Sequence, residues 1–198
     1  MNDALTALRA GDPVILPTDT VYGLCAAAHE PEPTSRLYAL KGRDPAQPSA
    51  LLAADLDMLL DCIPELRGRP EAIARALLPG AYTLILPNPA RRYRWITGTT
   101  PDAIGVRVVA LPDAADRVVS QIGCVVATSA NRPGEPEPRR VSDVPQEFRE
   151  AVGAIVDAGE LPGRASTVLD FTGEEPHVIR EGAGSVADAL ARAANAIA

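Results

Sequence analysis

Lysine is almost missing from this chain: of 19 basic residues only Lys41 is a lysine, and the rest are arginines. Histidine is nearly as scarce, limited to His29 and His177. That excludes a histidine-rich metal centre and makes a histidine-based triad a poor fit. Other standard engines are absent: there is no GxxxxGK[ST] loop to cradle phosphates, no GxGxxG turn, no GxSxG elbow and no HExxH motif. The cysteines, Cys25, Cys62 and Cys124, form no CxxC pair and lie in apolar runs, which predicts reduced core residues of a cytosolic protein. No run approaches the roughly 18 apolar residues of a membrane span. The start MNDALTALRAGD shows no secretory pattern, so a soluble cytoplasmic chain is expected. Positive charge is not in excess either: a net charge of -7 argues against a protein built to grip a phosphate backbone, and weak or no direct nucleic-acid binding is expected. Internal repeats and low-complexity tracts are also lacking. Chemistry must therefore rest on Lys, Arg, Ser, Thr and Asn.

What is present suffices for one domain spanning 1–198, with 46% hydrophobic residues to build a core. DALTALRAG has helical spacing and VILP reads as a buried strand. PTSRLYALKGRD predicts a helix closing at Gly42, SALLAA a strand, and DLDMLLDCI a helix capped by Asp55. RPEAIARALLPG and DAADRVVSQIG read as helices, YTLILP, AIGVRVVALP and CVVATSAN as strands. AIVDAG, STVLDF and HVIRE continue as strands before a closing helix, SVADALARAANAIA. Interspersed helices and strands make the fold class α/β, with a twisted mixed sheet and helices packed around it. The proline-rich segment 131–145 reads as a long loop, and Gly134 suggests a hinge for a lid.

Polar residues gather at the ends of these elements. Thr18, Asp19 and Thr20 follow one strand, Lys41 and Arg43 follow a helix, and Thr128, Ser129 and Asn131 follow another strand, where open α/β sheets bind ligands. If locally extended, Lys41 and Arg43 share one side, as do Ser129 and Asn131. One pair offers cations to an anion, the other small neutral hydrogen-bonding groups. Each also has a plain alternative, as a helix cap, a solvated helix end or a turn former. Arg107 interrupts the apolar run AIGVRVV and must find an acidic partner or a ligand. Arg180, beside a glycine-rich turn, repeats the pattern.

The stretches ILPTDTVYGLCAAA, LKGRDPAQPSALL, LLPGAYTLILP, GVRV, VVATSANRPGEP, STVLDF and VIREGA occur in an order that resembles the threonylcarbamoyl-AMP synthases of the YrdC-like fold. The likeness runs from Val14 to Gly182, and its signature, KxR followed much later by SxN, is met by Lys41, Arg43, Ser129 and Asn131. The resemblance implies a large concave cleft in which L-threonine, bicarbonate and ATP become threonylcarbamoyl-AMP and pyrophosphate. The product would pass to a transferase complex that modifies tRNA. It puts Thr18, Arg107, Ser129 and Ser166 at threonine and Lys41, Asn131 and Arg180 around ATP, with Arg43 supporting the anionic groups. Mg²⁺ would be held mainly by the ATP phosphates. Tyr22 belongs to the same motif and reads as a packing residue. Two departures stand out: Leu52 replaces a histidine of many long members, and Glu137, Pro138 and Arg139 stand where S-P-T is common at a nucleotide-facing turn. The chain resembles the short form without an added C-terminal domain. A related reading keeps the fold but changes the role, to an RNA-binding module or a carbamoyl-transfer domain. On the synthase reading Lys41 contacts ATP phosphates, so Lys41→Arg is expected to keep the ligand-free melting temperature.

Overall fold

The computed structural model describes residues 2–197. Its strands are β1 (Val14–Pro17), β2 (Tyr22–Ala27), β3 (Ala50–Ala53), β4 (Tyr82–Pro87), β5 (Ala103–Val108), β6 (Val125–Ser129), β7 (Ala154–Ile155), β8 (Thr167–Asp170) and β9 (His177–Arg180). The α-helices are α1 (Asn2–Arg9), α2 (Pro31–Lys41), α3 (Leu56–Cys62), α4 (Arg69–Leu77), α5 (Asp113–Ile122), α6 (Gln146–Ala151) and α7 (Val186–Ile197). All nine strands join one sheet in the order β7-β1-β2-β6-β3-β5-β4-β8-β9. It is mixed, as expected: β1 with β7, β3 with β5 and β4 with β8 run parallel, and the other neighbours antiparallel.

Local chemistry sets the helix ends. The Asp55 side chain accepts from Met58 N at 2.7 Å and starts α3. Gly42, at φ 64°, takes the left-handed conformation that closes α2, where its N–H and that of Arg43 reach back to Ala39 O and Tyr38 O. Two elements were not expected. β2 is buried almost throughout and built from Tyr, Gly, Leu, Cys and Ala, so it shows neither alternation nor β-branched residues. α6 is a short helix just after the proline-rich segment, with Pro145 preceding it. β7 keeps only the first residues expected of AIVDAG, because Asp157 accepts from Gly159 N at 2.8 Å and turns the chain.

Alternation along the strands divides the sheet into two faces. Ile104, Val106 and Val108 of β5, with Leu84 and Leu86 of β4, belong to a core shared with Leu37, Leu59, Ile73, Leu77, Phe148 and Ala189 from α2, α3, α4, α6 and α7. On the opposite face a smaller cluster joins Ala4 and Leu8 of α1 and Val118 and Val119 of α5 to Leu16, Cys25, Leu52 and Val125. Leu52 is thus a core residue. The covering helices leave part of this second face open, and Gly105 and Arg107 of β5 line the cavity formed there.

One expectation for the cysteines is corrected. Cys62, at the end of α3, and Cys124, just before β6, are joined by a disulfide across 62 positions. Only Cys25 is a free thiol among the described residues. So wide a spacing leaves no mark in the sequence, and the pair removes the thiol argument for a reducing compartment. Closing a loop of this size constrains the unfolded chain by about 4 kcal/mol in the chain-entropy picture. Burial pushes the Cys25 thiol up to about 12. Ellman's reagent is therefore expected to find no thiol in the native protein, one after unfolding without reductant, and all three after reduction.

Candidate active site

The cavity is floored by an absence of side-chain bulk. Ala127 of β6 pairs with Ala50 of β3 and Ala50 pairs with Gly105 of β5, which places three small residues side by side on adjacent strands, with Ile85 of β4 beside Gly105. All four line a cavity of about 350 Å³. Its walls carry Thr18, Thr20, Arg43, Ser49, Thr83, Arg107, Ser129, Glu137, Ser166 and Arg180.

The first wall is the turn between β1 and β2. Thr18 Oγ1 donates to Val21 O at 2.8 Å and accepts from Thr20 N and Val21 N, both at 3.2 Å, so its hydroxyl builds the turn. The turn holds Asp19 against Arg107, whose Nη2 lies 2.9 Å from Asp19 Oδ1 and 3.3 Å from Thr20 Oγ1. Both ends of this pair are largely buried, with side-chain exposures of 11% and 15%. Burial lowers the Arg107 pKa against the raising effect of Asp19, and the charge of Arg180 lowers it further. For Asp19, burial raises the carboxyl pKa while Arg107 pulls it down. Arg107 thus has the acidic partner its place in an apolar strand demands, yet it still lines the cavity.

The second wall is organised by Lys41. Its Nζ donates to Ser129 O at 2.5 Å, to Asn131 Oδ1 at 3.0 Å and to Asn131 O. These three acceptors match the three hydrogens of an ammonium. Asn131 is engaged in turn: Oδ1 also accepts from Ser129 Oγ at 2.6 Å, and Nδ2 donates to Glu135 O at 2.6 Å. Lys41 and Asn131 are buried behind the wall that Ser129 faces, and neither lines the cavity. Their polar atoms are engaged within this wall, those of Lys41 with Ser129 O, Asn131 O and Asn131 Oδ1, and Asn131 Nδ2 with Glu135 O. The shared extended side expected for Lys41 and Arg43 is corrected, since Lys41 ends a helix and Gly42 turns the chain. Arg43 does reach the cavity. Its Nη2 donates to Pro48 O at 2.5 Å, and its guanidinium lies 5.9 Å from the Tyr38 ring centroid. Burial, then the Arg43 charge, brings the Lys41 pKa down to about 8, while Glu137 pushes it up.

The third wall comes from β8 and β9. Arg180 grips Ser166 O through Nη2 at 3.0 Å and Nε at 3.2 Å, and Ser166 Oγ meets Thr83 Oγ1 at 2.8 Å. The chain folds back at Gly182, where a Cβ would stand 2.2 Å from Ala165 O, so only glycine permits this approach beside Ser166. Tyr22 is fully buried and donates to Asp157 Oδ1 and Gly159 O, a packing residue as expected.

Of the residues singled out in the sequence, Thr18, Arg43, Arg107, Ser129, Ser166 and Arg180 meet around the cavity, with Lys41 and Asn131 behind it. Thr20, Ser49 and Thr83 also line it without having been assigned a site role. Thr83 interrupts YTLILP as Arg107 interrupts AIGVRVV, and that polar break was the available signal. No group of three or more His, Cys, Asp or Glu residues able to hold a metal occurs among the described residues. No helix among them is long and apolar enough to cross a membrane.

Comparison with known proteins shows the family and the fold. A family model for Sua5, YciO and YrdC proteins, described as telomere recombination, matches residues 6–182. The chain is 37% identical over 169 residues to a threonylcarbamoyl-AMP synthase of Stenotrophomonas maltophilia, covering 83% of this chain and 89% of the relative. It is 34% identical over 176 residues to the threonylcarbamoyl-AMP synthase of Pyrococcus abyssi, covering 88% of this chain and 52% of the relative. It therefore spans about half the length of that second protein. The solved structure of P. abyssi Sua5 complexed with L-threonine matches with a TM-score of 0.78 at 32% identity, covering 90% of this chain and 53% of the other. Escherichia coli YciO, at 23% identity and a TM-score of 0.80, covering 94% of this chain and 91% of its own, shares the fold.

Proposed function

This chain belongs to the Sua5, YciO and YrdC family, and we propose that it is an L-threonylcarbamoyladenylate synthase. It joins L-threonine, bicarbonate and ATP into threonylcarbamoyl-AMP and releases pyrophosphate. The observation that carries this reading is the convergence of Arg43, Arg107 and Arg180 on one cavity with Thr20, Ser129 and Ser166 between them. Three cations serve a carboxylate and a polyphosphate, and the hydroxyls orient what lies between. Arg107, Thr18, Ser129 and Ser166 form the threonine side, and Arg43 and Arg180 the ATP side. Lys41 and Asn131 hold the Ser129 wall in position.

The chemistry asks mainly for placement. The amine of threonine forms a carbamate with bicarbonate, and a carbamate oxygen attacks the α-phosphorus of ATP while the bond to pyrophosphate breaks. Carbamates decompose readily in water, so holding the reacting groups in a narrow cavity is the enzyme's chief contribution, worth about 7 to 11 kcal/mol in a well-aligned site. Fixed arginines meet the charge that grows on the leaving pyrophosphate. Mg²⁺ held mainly by the ATP phosphates would screen the same charge. Handing the product to a transferase complex for modification of tRNA beside the anticodon places the protein in the cytoplasm.

Pyrophosphate release is the direct test. It is expected to require ATP, threonine and bicarbonate together, and equal release without threonine or bicarbonate would overturn the reading. Threonine is expected to outrun serine by roughly 10- to 200-fold, the value of one methyl group in an apolar pocket.

A further inference from the structure

Among the described residues lining the cavity, Glu137 is the only acid, and it shares the lining with the cations Arg43, Arg107 and Arg180. Asp19 stands behind Arg107 and is committed to it. The backbone pins Glu137 on both sides: Glu135 O accepts from Asn131 Nδ2 at 2.6 Å, and Pro138 O accepts from Tyr22 N at 3.0 Å. The other charged residues of this loop are paired elsewhere, Arg132 with Glu135 and Glu147, and Arg139 and Arg140 with Glu160. The carboxylate of Glu137 takes no hydrogen bond or ion pair among the described residues, although its charge is felt by Lys41 from α2.

A fixed, unpaired carboxylate in a cavity that gathers anions weakens their binding unless a cation also enters. Threonine is a zwitterion. Its carboxylate suits the arginines, and its ammonium needs an acceptor of opposite charge, which Glu137 alone among the described lining residues provides. We propose that Glu137 receives the α-ammonium of threonine and accepts its proton, leaving the amine free to attack bicarbonate. This rests on the synthase reading above. The proton moves to a Glu137 carboxylate oxygen, and the freed lone pair forms the N–C bond. A C–O bond of bicarbonate breaks, and its hydroxide leaves as water with a second proton from nitrogen.

The test is Glu137→Gln, near in size and on a partly exposed loop, compared by calorimetry with threonine, with 3-hydroxybutanoate, which lacks the amine, and with Mg²⁺–ATP. Threonine affinity is expected to fall about tenfold or more, the size of a lost charge-assisted hydrogen bond. Affinity for 3-hydroxybutanoate should hold or improve, and Mg²⁺–ATP should bind no worse. Glu137→Asp should recover part of the loss, and pyrophosphate release by the glutamine variant should need a more alkaline pH. Equal threonine affinity in wild type and Glu137→Gln overturns the proposal, and so does a loss confined to Mg²⁺–ATP, which would mark a metal ligand. A wild-type protein that neither binds threonine nor releases pyrophosphate would overturn the synthase reading as well. An active wild type matched by the glutamine variant would overturn this inference alone.

Discussion

Replacing Lys41 with arginine is expected to remove most pyrophosphate release and to lower the melting temperature of the ligand-free protein. The second effect reverses what the sequence implies. Lys41 is 6% exposed, and its ammonium directs three donors at Ser129 O, Asn131 O and Asn131 Oδ1. A guanidinium is planar, longer and wider, and it cannot point three donors from one atom into one turn. In this crowded place it would strain the turn or leave buried carbonyls without donors. A loss of about 2 kcal/mol is reasonable for such a change, which for a chain of this size means roughly 4 to 8 °C in Tm. Lys41→Met, which keeps length without charge, should cost similar stability and equal activity. Unchanged Tm and turnover in the arginine variant would show that the ammonium is not specifically needed.

The same residue makes a pH prediction. Its native pKa of about 8 lies below the ordinary 10.5, so between these values unfolding takes up a proton and this group's contribution to stability rises with pH. Activity should move the opposite way. Loss of the proton above about pH 8 removes one of three donors to the Ser129 wall, so pyrophosphate release should fall without a parallel loss of Tm from this group.

Lys41 also shows how far the sequence could be read. Its rarity marked it out, and so did its place two residues before Arg43. Its role stayed hidden because its acceptors lie 88 and 90 positions away. Gly42 and Asp55 were readable because their effects are local, a left-handed helix end and a side-chain cap. β2 was not, since an inner strand buried almost throughout has no polar face to betray its period. The cavity floor was hidden for a different reason: Ala127, Ala50 and Gly105 are unremarkable apart and meaningful only once β6, β3 and β5 lie side by side. Glu137 was visible as a departure from a familiar pattern, but only the folded chain shows that it is the lone acid among the described lining residues.

Arg107→Ala should give the largest loss of stability, and a second substitution should separate structure from chemistry. The single change leaves Asp19 buried without its cation, with Thr20 as its remaining neighbour in this contact. Breaking one side of a buried pair costs about 3 to 5 kcal/mol, or roughly 6 to 20 °C in Tm for a chain of this size. The loss should shrink in acid. Burial already raises the Asp19 pKa, and removing Arg107 takes away the main charge that lowers it. The native state then holds a proton that the unfolded state has released, in the window from the ordinary 3.8 up to the raised value, so stability recovers as pH falls through that window. Adding Asp19→Asn removes the stranded charge and should restore much of the Tm at neutral pH, an interaction that a double-mutant cycle measures directly. Pyrophosphate release should not return with it, because Arg107 also faces the cavity and its cation would still be missing from the threonine side. Recovery of both Tm and turnover in the double variant would make Arg107 a structural partner of Asp19 and nothing more.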